Sequence, residues 1–183
     1  RSLESLGGWP LPLERLTGQE GELADHSVGE LTALTLGGTS QPIPTLRDVL
    51  DLVAGQVPLL LELKTEADRP VGPLCRAVRR DLEGYAGPVA VMSFDPRVAA
   101  WFAARKAGLP RGLVVSEEGA RTLGGAIKRR LFVWRARPDF LACDVRDFPS
   151  AFAARQLRAG RPLLSWTVRS AALLAAARAA GAA

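Results

Sequence analysis

The chain has 183 residues, 48% of them hydrophobic, and carries 24 Lys and Arg against 19 Asp and Glu, a net charge of +5. That apolar share excludes a disordered chain, and no apolar run reaches the roughly 18 residues a membrane span requires. The length suits one domain over 1–183, and its basic residues, 21 Arg and 3 Lys, stand among Ala, Gly and Pro rather than interleaved with aromatics, which argues against a nucleic-acid partner.

The opening RSLESLGGWP has neither the basic nor the apolar region of a signal peptide, and it lacks an initiator Met. Cys75 and Cys143 are too few for a disulfide scaffold and have no metal-ligand spacing, so a reducing, cytoplasmic setting is expected. Residues 1–44 read as loop, broken by Gly7, Gly8, Pro10, Pro12, Gly18, Gly21, Gly37, Gly38, Pro42 and Pro44. One helix is expected inside this stretch, from Ser27 to Leu34, with Ser27 as cap and Glu30 three residues on. Thr45 and Asp48 form a similar box before the stripe Leu46, Val49, Leu50, Val53, which Gly55 stops.

From there one unit recurs five times. Strands are predicted at Pro58–Lys64, Pro88–Phe94, Arg111–Ser116, Asp139–Val145 and Pro162–Val168. The helices between them are predicted over Pro70–Leu82, from the cap Asp95 to Ala107, around Ala120–Arg135, after Ser150 and after Ser170. Strand starts 23 to 30 residues apart, alternating with helices, imply parallel strands with right-handed crossovers. The class is α/β. Neither G-x-G-x-x-G nor G-x-x-x-x-G-K-[ST] follows a strand, so the usual nucleotide loops are missing. Periodicity alone leaves open whether the sheet is flat or curled.

Alternation in the first strand places Leu60, Glu62 and Lys64 on one face and Leu59, Leu61 and Leu63 on the other. A carboxylate and an ammonium thus project together at the C-terminal end of a parallel strand, where α/β folds place their sites. A Glu there suits a hard dication and a Lys suits a phosphate oxygen, and a purely structural ion pair fits the same pattern. Trp166, near the end of the last strand, is either an apolar wall for a ligand or a core residue. Ser93, Phe94 and Asp144 also lie at strand ends, with Asp144 placed to bond a nearby Arg. His26 is the sole histidine and sits beside a helix start, which disfavours Ser/His/Asp, Cys/His and His-shuttle catalysis. The densest basic cluster, Lys128, Arg129 and Arg130 with Arg135 and Arg137, reads as a solvated helix face.

Six phrases in order carry a resemblance: L-x-R-x-T-G (Leu13 to Gly18), D-x-[ST]-x-x-E-L (Asp25 to Leu31), I-P-T-L-x-[DE]-V-L (Ile43 to Leu50), ELK, MSF and SWTV. Together they resemble the glycerophosphodiester phosphodiesterase family, a group of TIM barrels. The resemblance implies an incomplete (β/α)8 barrel with about five or six βα units. It also implies metal-dependent hydrolysis of a glycerophosphodiester to glycerol phosphate and an alcohol. On that pattern Glu62 is a ligand of Mg²⁺ or Ca²⁺, Lys64 contacts the phosphate and Trp166 lines the substrate site. The family's H-R-G and I-E-x-D strands have no counterpart in this sequence, and Trp9-Pro10 stands where H-D is expected. The first two strands and the last are therefore expected to be missing, together with two catalytic histidines and two metal carboxylates, and these residues alone are expected to be weak or inactive. A barrel with open edges also allows a different role, a binding or assembly module that forms homo-oligomers through those edges. A third reading is a sugar-phosphate-binding α/β domain of another family.

Overall fold

The computed structural model describes residues 13, 17, 18, 26–105 and 108–183. Expectations that fall on Trp9, Pro10, Arg15, Asp25 and Ala107 lie outside the described residues. Leu13 is fully buried, and the Thr17 hydroxyl donates to its carbonyl at 2.8 Å, so these two residues are helical where glycine and proline content predicted loop.

Local polar chemistry sets most helix starts. Helix α1 (Val28–Ala33) is capped by Ser27 with Glu30, and α2 (Leu46–Val53) by Thr45 with Asp48, each pair satisfying two backbone N–H groups. Strand β1 (Leu59–Glu62) then leads to α3 (Gly72–Asp81), which has a proline in its first turn and no side-chain cap. Strand β2 (Val89–Ser93) is followed by α4 (Pro96–Ala104), capped by Asp95, and β3 (Arg111–Val115) by α5 (Leu123–Ala136), capped by Thr122. Strand β4 (Phe140–Asp144) runs into a 3₁₀ turn at Val145–Asp147 and then α6 (Ala151–Arg158), capped by Ser150. Strand β5 (Leu163–Trp166) and α7 (Ala171–Ala179), capped by Ser170, complete the described elements.

The five strands pair in chain order, all parallel. Register then assigns faces. Glu62 pairs with Met92, Met92 with Gly112, and Gly112 with Phe140, so these residues share the face opposite the helices. Leu61 and Leu63 point the other way, into a cluster with Cys75, Val78, Val98, Trp101 and Phe102 of α3 and α4. A second cluster joins Leu113, Val115, Leu141, Cys143 and Leu163 to Ala136, Ala153 and Ala177 of the later helices. The helices therefore cover one side of the sheet.

The other side is concave. Phe94 follows β2 and Trp166 ends β5, three strand steps apart, or roughly 14 Å along a flat sheet at about 4.8 Å per step. Their ring centroids are 5.7 Å apart, edge to face, which requires the sheet to curl around its inner face. This is part of a (β/α)8 barrel wall. At the β5 edge, Ala183 accepts from the Ser165 N–H at 3.3 Å and donates to the Leu163 carbonyl at 2.9 Å, as a next parallel strand would. At the other edge Leu60 remains half exposed on the inner face.

Gly112 lies under the inner filling. A methyl group there would stand 2.4 Å from the Phe140 ring and 2.9 Å from Met92 Cβ. Gly112→Ala is expected to cost about 1–2 kcal/mol through overpacking, read as a lower urea midpoint with unchanged slope.

Candidate functional site

The C-terminal end of β1 carries the two residues singled out by alternation. Both Glu62 and Lys64 project from the inner face, and Lys64 Nζ donates to Glu62 Oε1 at 2.9 Å. The pair is part-exposed, so it adds little to stability, and both side chains remain accessible from the mouth of the curl.

The backbone beneath them is fixed by residues of the next unit. Ser93 Oγ, fully buried, donates to the Leu63 carbonyl at 2.6 Å and accepts from the Asp95 N–H at 3.1 Å. Asp95 caps α4 through the Arg97 N–H, accepts from the Thr65 hydroxyl at 3.0 Å, and pairs with Arg97. Arg97 in turn donates to the Glu66 carbonyl at 3.0 Å. Burial pushes the Asp95 carboxyl up, but hydrogen bonds from Arg97 and Thr65 outweigh it and hold the group below its ordinary value. Ser93 is thus a structural tie, with its hydroxyl committed to backbone rather than to a nucleophilic role.

Trp166 occupies the opposite edge of the mouth. Its indole N–H donates to the Ala142 carbonyl at 3.0 Å and its ring meets Phe94, leaving an aromatic wall partly open to the interior. Asp144, by contrast, is consumed locally. It is 1% exposed, caps the 3₁₀ turn through the Arg146 N–H at 2.9 Å, and pairs with the Arg146 guanidinium at 2.5 Å. Burial raises its carboxyl, but the Arg146 hydrogen bonds and charge prevail and hold it low.

Other candidates stand apart from this rim. Half-buried His26 immediately precedes the cap of α1, as expected. Cys75 and Cys143 are free and buried in separate clusters, where desolvation pushes their thiols up to about 11 and about 12, so neither offers a thiolate. In the basic cluster, Lys128, Arg130, Arg135 and Arg137 are exposed as predicted. Arg129 departs from the expected solvated face: it turns inward, donating to the Ala120 carbonyl at 2.8 Å, with its guanidinium 5.6 Å from the Phe152 ring centroid. The reason is the buried Glu117, whose Oε1 lies 3.8 Å from Arg129 Nε.

Whether these residues suit a hard dication is decided by the donor set. Mg²⁺ or Ca²⁺ takes about six oxygens or more, usually including several carboxylates. Among the described residues no three His, Cys, Asp or Glu side chains gather to hold an ion. Glu62 is already engaged by Lys64, and Asp144 is three strands away and engaged by Arg146. The described residues alone do not fit the metal.

No protein-family model and no curated sequence matches the chain. Solved structures do. One is a phosphodiesterase of Oleispira antarctica in complex with the product sn-glycerol-3-phosphate, with TM-score 0.74, 21% identity, and coverage of 93% of this chain and 70% of that one. A glycerophosphoryl diester phosphodiesterase by assignment from Agrobacterium tumefaciens gives TM-score 0.75 and 20% identity over 93% of this chain and 70% of its own. A similarly assigned protein from Silicibacter pomeroyi gives 0.73 and 23% over 91% and 66%. The fold is therefore an incomplete TIM-type barrel. More particularly, the fold is similar to the barrel of these phosphodiesterase structures, and the chain covers 66–70% of their length.

Proposed function

We propose that this chain is the greater part of a phosphodiesterase barrel that recognises a glycerophosphodiester at Lys64 and Trp166, with hydrolysis to glycerol phosphate and an alcohol as its chemistry. The observation that carries the reading is the Glu62–Lys64 pair on the inner face at a strand C-terminus, with the Trp166 wall on the opposite edge of the same mouth. Lys64 supplies a compact cation for a phosphate oxygen and offsets negative charge that builds during transfer. Trp166 and Phe94 offer apolar surface to the carbon skeleton of the ester.

In this reading Glu62 would be one ligand of a Mg²⁺ or Ca²⁺ ion, which would supply Lewis-acid chemistry at the phosphate only if further oxygens were provided from outside the described residues. With a single carboxylate on offer, and that one paired with Lys64, the metal affinity of these 183 residues is expected to be weak, with Kd of about 1 mM or above. Calorimetric titration of Mg²⁺ and Ca²⁺ into the chain and its Glu62→Ala variant checks this. Tight binding that depends on Glu62 would contradict the donor count.

A second reading, a non-catalytic assembly module, draws on half-exposed Leu60 and the open outer edge of β1 among the described residues. A concentration-dependent dimer mass, abolished by Leu60→Glu, would favour it.

A further inference from the structure

We infer that helix α5 is a peripheral docking face for an anionic lipid bilayer. Leu123, Ile127, Leu131 and Trp134 recur at steps of three and four residues, so they fall on one side of the helix. They are 81%, 51%, 56% and 71% exposed, respectively. The helix has already met its core obligation with another face: Phe132, Val133 and Ala136 pack against the cluster under β3 and β4. It thus carries two apolar faces, and among the described residues only one of them is covered.

The exposed face does not belong to the open edges of the sheet. Helix α5 packs beside α4 and over β3, the middle strand of the five. Completing the barrel at β1 or β5 leaves it bare. Contiguous apolar surface of this kind, rather than a single exposed Leu, marks an interaction site.

Charge selects the occupant. From Arg121 to Pro138 the sequence holds six cations, Arg121, Lys128, Arg129, Arg130, Arg135 and Arg137, and no Asp or Glu. On the helical wheel Arg130 borders the apolar stripe on one side, and Lys128 and Arg135 border it on the other, all three exposed. Leu and Trp flanked by Lys and Arg is the pattern of a helix lying in a lipid interface, with the apolar side chains among the acyl chains and the cations at the phosphates. A second copy of the chain fits less well. A two-fold contact through this stripe, parallel or antiparallel, sets a row of cations against another row of cations, with no acid on α5 to offset them. No described helix is long and apolar enough to cross a membrane, so the helix rests on the surface.

The test is co-sedimentation of the full chain with vesicles of phosphatidylcholine alone or mixed with phosphatidylglycerol, at low and high salt. The chain is expected to partition onto the mixed vesicles at low salt, not onto pure phosphatidylcholine, and to be released by salt. Leu131→Glu and the double change Lys128→Glu/Arg135→Glu should each weaken partitioning by about tenfold or more. The altered residues are exposed, so circular dichroism melts should stay at the wild-type midpoint. Absence of partitioning at low salt overturns the inference, as does partitioning that both variants retain. It is overturned equally by a wild-type dimer that Trp134→Ser dissociates while vesicles capture nothing, because the occupant is then a second copy.

Discussion

Incubated with glycerophosphocholine and either Mg²⁺ or Ca²⁺, these 183 residues are expected to release product no faster than their Glu62→Ala variant. The sequence has one histidine, and His26 sits at the start of α1 rather than at any strand end. General acid–base catalysis, with its contribution of about 10²–10⁴-fold, therefore lacks a positioned histidine among the described residues. The other strand-end candidates are committed: Ser93 to the Leu63 carbonyl and Asp144 to Arg146. On the proposed reading Lys64 and Trp166 would bind and orient the ester, which leaves the proton transfers unassisted. Turnover followed by release of choline checks this, and a rate that falls on replacing Glu62 would show that the chain holds a complete catalytic set.

The second large effect concerns the rim opposite Glu62. Asp144→Ala removes the cap of the 3₁₀ turn and the ion-paired acceptor of Arg146, and it opens a hole where a fully buried side chain stood. Cap loss contributes about 1 kcal/mol, and the charged hydrogen bonds and cavity bring the total to about 2–3 kcal/mol, since Arg146 regains water on its exposed side. The sign of the pH dependence follows from the same contacts. Arg97 holds Asp95 low and Arg146 holds Asp144 low, so each contributes stability that is fully present above the unfolded value near 4. That stability is lost as pH falls through the lower folded values. Asp147 runs the other way, because burial raises it, and it offsets part of the acid loss. Urea midpoints measured from pH 7 down to pH 3 should fall most steeply below about pH 4, and Asp144→Ala should flatten that descent.

Much of the fold can be read from short polar signals. Ser27 with Glu30, Thr45 with Asp48, and the single caps Asp95, Ser150 and Ser170 each define a helix start, because satisfying an unpaired N–H is a local matter. Alternation in the first strand likewise places Glu62 and Lys64 on one face, and the packing of Leu61 and Leu63 against α3 and α4 then makes that face the inner one. What is not legible depends on distant partners. Arg129 resembles its solvated neighbours in sequence, yet it turns inward to Glu117, twelve positions earlier and beyond the loop before α5. The curl of the sheet is visible only when Phe94 meets Trp166, 72 positions apart. The donor set for a dication is equally non-local: several carboxylates lie near strand ends, but Arg and Lys partners claim them one by one.

The most direct measurement is titration of sn-glycerol 3-phosphate into metal-free wild type, Lys64→Ala and Glu62→Gln, followed by calorimetry or by quenching of Trp166 fluorescence against a Trp166→Phe control. With Lys64 as the phosphate contact, its loss should weaken binding by roughly 10- to 100-fold, and Glu62→Gln should strengthen it, because the carboxylate competes with the ester for the same ammonium. Equal affinities for all three proteins, or no binding at all, would show that the inner rim of β1 is not a phosphate site.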